Sequence, residues 1–284
     1  MKRNKPVKAR LRGSGFSKIV GPTRRAALSQ TFRHPDILEI ARTEGKVTVD
    51  GLAERFGVTV QTIRRDLTEL AEAGKLERVH GGAILPSGVT NIGYDERRRL
   101  NAAAKAAIAR VCAQDIPEGA SVFLNIGTTT EAVARELLHH RNLMVVTNNM
   151  NVANILVANP EAEIILAGGI LRRTDGGLVG PLTAGVIEQF KVDIAVIGCS
   201  AMDIDGDLLD FDAQEVSVSQ SIIRQARRTC LVADHSKMHR AAPARIGSLR
   251  QIDQVYTDQE FPPALTRHCA DWDTRITLCG QVQP

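Results

Sequence analysis

Val60-Gln61-Thr62-Ile63-Arg64-Arg65-Asp66-Leu67 carries helical spacing: Ile63, Leu67 and Leu70 fall four and three apart and make one inward face. Thr59, just ahead of the run, is a natural N-cap. This phasing leaves Thr59, Gln61, Thr62, Arg64 and Arg65 on the outer side at the N-terminal end of the helix. Upstream, a second helix opens at Asp50, carries the small Ala53 and stops at Phe56 before Gly57, so two helices meet across a short glycine turn. A further helix begins at His34-Pro35-Asp36 and ends near Gly45, and Val47-Thr48-Val49 reads as a short extended piece. Downstream of a stop at Gly74, Leu76 to Leu85 forms two extended runs around Gly81-Gly82, a wing carrying Arg78 and His80. Residues 32–86 thus read as a winged helix-turn-helix, whose recognition helix enters the major groove of DNA. There Gln61 can pair with adenine and Arg64 or Arg65 with guanine, while the Thr59 and Thr62 hydroxyls, Arg78 and His80 reach phosphates or bases. The plainer alternative for Arg64-Arg65 alone is a solvated helix face.

At 284 residues and 43% hydrophobic content, the chain is long enough for two cores. It has no run of the roughly 18 apolar residues that a membrane span needs, nor an apolar leader, so the expected location is the cytoplasm, with no membrane partner. Cys112, Cys199, Cys230, Cys269 and Cys279 form no CxxC pair and read as reduced structural residues. No His/Cys cluster has zinc-ligand spacing, and neither metal nor cofactor is expected. The net charge of +4 is unevenly spread: residues 1–31 hold nine Lys and Arg and no acid, leaving the remainder net acidic. That arm can hold nucleic acid phosphates without sequence preference, or be a disordered extension, or reflect a misplaced start.

Residues 87–100 lose the periodicity, carry Gly and charge, and read as a linker. From 101 to 284, apolar strands near 121–125, 143–146, 163–167, 193–197 and 229–233 alternate with amphipathic helices, the pattern of a doubly wound, largely parallel α/β domain. Several strands deliver polar loops at one sheet edge, where open α/β sheets bind ligands. After the first come Gly127, Thr128 and Thr129 opening a helix, whose free N–H groups favour an anion. Later strands bring Thr147-Asn148, Gly168-Gly169 with Arg172 and Arg173 beyond, and Asp234-His235-Ser236-Lys237, whose lysine can neutralise a phosphate. Singly, the Gly-Thr-Thr run caps a helix and Gly168-Gly169 makes a turn; their shared edge points to a site for a phosphorylated small molecule.

The run Val60 to Leu67, followed by Arg78-Val79-His80-Gly81-Gly82-Ala83, closely resembles the DeoR family of bacterial regulators, and the likeness extends over roughly residues 30 to 280. It implies a DNA-binding repressor, with a sensor domain similar to ribose-5-phosphate isomerase that answers to phosphorylated sugars or polyols. Within the family, Thr147 to Asn154, Asp175-Gly176-Gly177, Gly206 to Asp212 and Asp234 to Lys237 look most like members that respond to glycerol 3-phosphate. The implied effector is therefore glycerol 3-phosphate; another sugar phosphate is the alternative, since spacing alone selects no carbon number. Asn125 stands where the family usually has Asp, so an acid's role there does not carry over.

The rival class is a sugar-phosphate isomerase, for which Asp203, Asp205, Asp207, Asp210, Asp212 and Glu215 offer candidate bases. A fused DNA reader makes catalysis unnecessary, and the expectation is a regulator without enzymatic activity. DNA readers of this type commonly place two copies on a repeated or palindromic site, so a homodimer or homotetramer is expected.

Overall fold

The computed structural model describes residues 33–41, 46–73, 75–84 and 93–280. The basic arm over 1–31, the breaks at Gly45 and Gly74 and the start of the expected linker at 87–92 lie outside the described residues.

The N-terminal domain contains α1 (33–41), β1 (Lys46–Thr48), α2 (Val49–Phe56), α3 (Val60–Glu72), β2 (Glu77–Val79) and β3 (Gly82–Ile84). The Thr48 side chain accepts the Gly51 N–H and caps α2, as Thr59 accepts from Thr62 and caps α3. Between them Gly57 takes the left-handed conformation, φ 62° and ψ 34°, and its neighbour Val58 donates back to Ala53 O, closing α2 as only a residue without a Cβ does cheaply. The strands pair antiparallel in the order β1-β3-β2. Gly82 is obligatory in that sheet, because a Cβ there would lie 1.9 Å from Val47 O. Ile37, Val47, Leu52, Ile63, Leu67, Leu70, Leu76 and Ala83 close a core that belongs to this domain alone. At about 1.5–3 kcal/mol per fully buried large aliphatic side chain, this cluster is what holds the three helices together.

One residue of the deciding motif behaves differently from its charge. Asp66 is fully buried on the inner side of α3, where its carboxylate accepts Arg33 Nε at 2.8 Å and Nη2 at 3.1 Å, with His34 Nε2 at 3.7 Å. The acid pins α1 to α3, and it sits inside because three residues past Ile63 is the same helix face.

The second domain is built on seven strands, β4 (Ser121–Leu124), β5 (Met144–Thr147), β6 (Glu163–Leu166), β9 (Val192–Ile197), β12 (Ala226–Val232), β14 (Gln254–Thr257) and β15 (Arg275–Leu278). All neighbours pair parallel, in the order β15-β14-β12-β9-β4-β5-β6. The chain winds outward from β4 in one direction and from β9 in the other, so the topological switch point lies between these two strands. Side chains alternate between two cores: Val122, Leu124, Val145 and Val196 meet α5 (Ala102–Gln114), α6 (Thr128–Glu136) and α7 (Met150–Leu156). Phe123, Val146, Ala195 and Ile197 meet α8 (Pro181–Ile187), α9 (Ala213–Arg224) and α10 (Pro263–Asp271). A hairpin of β7 (Ile170–Arg172) and β8 (Gly177–Val179), and a small antiparallel sheet of β10 (Ala201–Met202), β11 (Asp207–Asp210) and β13 (Ala244–Ser248), complete the domain. The doubly wound parallel sheet is as expected; its last two strands, β14 and β15, were not anticipated.

The linker reading over 87–100 is corrected at its C-terminal end. Residues Tyr94–Arg99 form a helix, α4, with Asp95 and Glu96 in its first turn and Arg97, Arg98 and Arg99 in its last. Acid first and base last suits the helix dipole, so the charge run that suggested a linker is itself the helix signal. Among the described residues, no helix is long and apolar enough to cross a membrane.

Candidate DNA-reading surface and ligand cavity

The exposed side of α3 presents Gln61, Arg64, Arg65 and Thr68, with Thr59 exposed just before it and Thr62 half-buried. The Thr59 and Thr62 hydroxyls are 2.9 Å apart and the Thr68 hydroxyl donates to Arg64 O, so these three are partly engaged in shaping the helix. Arg65 Nε lies 3.1 Å from Glu69 Oε1, one turn on, whereas the Arg64 guanidinium has no such ion pair among the described residues and projects from the same face. Arg78 and His80 are exposed on the wing, and Val49 N donates to Gly81 O, holding the wing's turn against the start of α2. All seven residues read from the sequence as DNA contacts are thus gathered on the surface of one small domain. Thr68 was not among them, although its spacing, four after Arg64, puts it on that face.

In the second domain a cavity opens at the switch point. It is lined by Gly127, Thr128, Thr129 and Thr130 after β4, Gly198, Cys199 and Ser200 after β9, and by Asp210, Glu215, Lys237 and Arg97. Gly127 adopts φ 152° and leads into α6, whose first N–H groups have no partner within the helix. The Thr130 hydroxyl, 2.7 Å from both Asn125 O and Gly127 O, fixes this loop. Asn125 is buried and satisfied internally: it donates to Ser219 Oγ at 2.8 Å and accepts from Ile126 N at 2.7 Å. It supports the loop from behind, outside the cavity lining.

Cations gather at one end. The Lys237 ammonium is held below its ordinary pKa by burial, with Asp234 opposing and Arg240 and Arg97 adding repulsion. Lys105, buried on α5, is lowered to about 8 by burial and by Lys237. Asp234 is pushed down to about 2: burial alone would raise it, but Lys237, the Ser236 hydroxyl at 2.5 Å and Asn101 Nδ2 at 2.8 Å favour its charged form. Cationic groups destabilised by burial and by each other are a favourable setting for an anion.

Carboxylates gather at the other end, around a cleft of about 260 Å³ lined by Tyr94, Arg97, Arg172, Asp175, Asp212 and Glu215 among others. Arg172 holds Asp175 through two bonds of 2.8 Å, Asp212 at 2.7 Å and Glu215 at 2.5 Å. Burial pushes Glu215 up to about 7, with Asp210 adding and Arg172 opposing.

Four of the eight residues expected at the ligand site, Gly127, Thr128, Thr129 and Lys237, line this cavity. The other four do not. Thr147 is buried and donates to Leu124 O at 2.6 Å, tying β5 to β4, and Asn148 donates to Leu178 O at 3.1 Å. Gly168-Gly169 packs against α8, where the Thr183 hydroxyl bonds Gly168 O and a Cβ on Gly169 would lie 2.0 Å from Thr183 Oγ1. Arg173 is exposed, while Arg172 is turned into the carboxylate cluster. The expected acid cluster also divides: Asp203 and Asp205 are exposed, Asp207 pairs with Arg245, and only Asp210, Asp212 and Glu215 face the cavity or cleft. Arg97, Lys105 and Ser200 were missed as site residues. Arg97 and Lys105 lie before the first strand, where strand-end reasoning does not look. Among the described residues no group of three His, Cys, Asp or Glu could hold a metal ion.

A winged helix-turn-helix joined to a switch-point α/β domain with a cationic cavity defines a DNA-binding regulator that carries its own sensor. The chain matches the DeoR-like helix-turn-helix domain over residues 33–89 and the DeoR C terminal sensor domain over 100–259. It belongs to the DeoR family of helix-turn-helix transcriptional repressors. It is 45% identical over 252 residues, 89% of this chain and 100% of the other, to the glycerol-3-phosphate regulon repressor of Escherichia coli (strain K12). To the repressor of the same name from Haemophilus influenzae it is 42% identical over 257 residues, 90% of this chain and 100% of that one. A solved ribose 5-phosphate isomerase A from Methanocaldococcus jannaschii overlaps 49% of this chain and 55% of its own, at 14% identity and a TM-score of 0.37.

Proposed function

We propose that this repressor governs genes of glycerol 3-phosphate use and leaves its operator when glycerol 3-phosphate occupies the switch-point cavity. The observation that carries the reading is the meeting of Lys237 with the Gly127-Thr128-Thr129 loop at the start of α6. A phosphate there receives backbone N–H donors from the loop and a point charge from the lysine. The names borne by the relatives from Escherichia coli and Haemophilus influenzae supply the polyol. Asp210 and Glu215, which border both spaces, suit its hydroxyls as acceptors. Operator recognition falls to Gln61, Arg64 and Arg65 in the major groove, with Thr59, Thr62, Arg78 and His80 on phosphates or flanking bases. Two copies or four engage a repeated site in the cytoplasm.

The adjoining cleft gives a second reading some footing, since its additional room suits a longer sugar phosphate. We also read the protein as a sensor without turnover. A carboxyl near pKa 7 is what an isomerase base requires, but Glu215 Oε2 lies 2.5 Å from Arg172 Nη2 and is committed to that pair.

Titrating the operator complex with glycerol 3-phosphate, hexose and pentose phosphates, and inorganic phosphate decides among these. Release by glycerol 3-phosphate at the lowest concentration is expected; release only by a sugar phosphate overturns the effector, and conversion of any of them at enzyme-like rates overturns the sensor-only role. Lys237→Ala is expected to bind operator normally and to need at least about tenfold more effector for release. Normal induction of that variant removes Lys237 from the site.

A further inference from the structure

The helix joining the two domains forms part of the cavity. Arg97, in the last turn of α4, lines both the inner cavity and the outer cleft. Its Nη2 donates to Asp175 Oδ2 at 3.1 Å, while its Nε is buried and has no hydrogen-bond partner. Its backbone carbonyl accepts from Lys105 Nζ and, at 3.5 Å, from Thr128 Oγ1, so the same residue touches the cationic cluster and the loop that opens α6. Three residues earlier, the Tyr94 hydroxyl donates to the buried Glu131 carboxylate at 2.8 Å and accepts from Asn151 Nδ2 at 3.0 Å, docking α4 on α6 and α7. Just after α4, Asn101 donates to Asp234. In the sequence, residues 85–93 separate this helix from β3 of the wing.

Two features set Arg97 apart from the rest of the cavity lining. The inner cavity, about 30 Å³, adjoins the outer cleft along Arg97, Asp210 and Glu215, which line both. The lining loops after β4 and β9 are backbone anchored by the sheet, whereas Arg97 is a long side chain on a six-residue helix. Its departure from Asp175 is also inexpensive, because that carboxylate keeps both of its 2.8 Å bonds to Arg172.

We infer that Arg97 is a direct ligand of the anionic effector, and that α4 is the element whose seating on the sensor domain changes when the effector binds. The inference rests on the reading of the cavity as a phosphate site. Arg97 swings from Asp175 to the anion, a bidentate partner for which a guanidinium is well shaped. Its backbone, tied to Lys105 and Thr128, shifts with it and changes how α4 sits on α6 and α7. The effector thus binds the two seatings of α4 with different affinity, which is the condition for any ligand to move a conformational equilibrium.

The test uses the full chain, an operator duplex selected by the protein from random DNA, and glycerol 3-phosphate and inorganic phosphate as probes. Calorimetry measures anion affinity, and fluorescence anisotropy measures operator affinity with and without saturating glycerol 3-phosphate. Arg97→Gln is expected to weaken both anions by about tenfold or more, and Arg97→Lys by less, because the charge remains while the fork is lost. Tyr94→Phe removes the docking hydroxyl. It is expected to keep anion affinity within about twofold while the ratio of operator Kd with and without effector shrinks at least about fivefold. Wild-type anion affinity in Arg97→Gln, or a wild-type ratio in Tyr94→Phe, overturns the inference and leaves the effector reading standing. If the unaltered protein binds neither anion, the effector reading fails and this inference falls with it.

Discussion

Asp66→Ala separates the inside of the recognition helix from its outside. The carboxylate is buried with 1% of its side chain exposed and meets Arg33, 13% exposed, through bonds of 2.8 and 3.1 Å. Breaking a fully enclosed pair costs ~3–5 kcal/mol, because the remaining charge is left in a poor solvent. Arg33 retains some access to water, which brings the expected loss to about 2–3 kcal/mol. A domain of about 50 residues has only about 3–8 kcal/mol to lose, so this is a large share. At about 4–8 °C per kcal/mol for a small domain, its melting midpoint is expected to drop by roughly 10–20 °C. Hydrogen exchange of the α3 amides reports that domain. The single tryptophan, Trp272, sits in the second domain and supplies an internal control that should not move. Operator affinity falls with the folded fraction while base preference at every position stays the same. A midpoint within a few degrees of the unaltered protein, or a changed base preference, would refute the reasoning and return Asp66 to the DNA surface.

Two further outcomes follow. Arg64→Ala is expected to cost on the order of 1–3 kcal/mol of discrimination at one base pair, and Arg65→Ala less, because Arg65 is already partnered by Glu69; equal weakening on all sequences, read from binding to operator and mutated operators, makes Arg64 a phosphate contact. Effector binding at pH 8 is expected to take up protons, since Lys105, lowered to about 8 by burial and Lys237, is about half neutral there and a bound dianion raises it. Phosphate monoesters are already dianionic at that pH. Calorimetry in two buffers of different ionisation heat measures the uptake, and equal heats would place Lys105 away from the anion. The sign for folding is the reverse of an ordinary ion pair: without effector, charged Lys105 weakens the native state at neutral pH, and that cost is relieved as pH rises from about 8 toward 10.5.

Much of the fold was legible because burial imposes periodicity. The spacing of Ile63, Leu67 and Leu70, the Thr59 cap and the Gly81-Gly82 turn each appear in the structure where local chemistry puts them. The alternation after residue 101 gave the parallel sheet for the same reason. Strands β14 and β15 escaped because Gln254 to Thr257 and Arg275 to Leu278 interleave polar residues with few apolar ones. At the cavity, strand-end logic located Gly127 to Thr129 and Lys237, which the chain delivers directly from β4 and from the turn after β12. It misplaced Thr147, Asn148 and Gly168-Gly169: they too follow strands, but β5 and β6 lie one and two positions from the switch point, and their polar groups serve neighbouring backbone. Arg97 and Lys105 reach the site across tertiary space, which no local pattern encodes.

The burial of Asp66 beside the exposure of Gln61, Arg64 and Thr68 bears on how such a protein changes over time. Within a single two-turn stretch, the positions that keep the domain folded and those that choose the operator are disjoint. Substitutions at exposed helix positions usually alter stability by no more than about 0.5 kcal/mol. A duplicated copy is therefore free to acquire a new binding site on DNA while inheriting an intact scaffold.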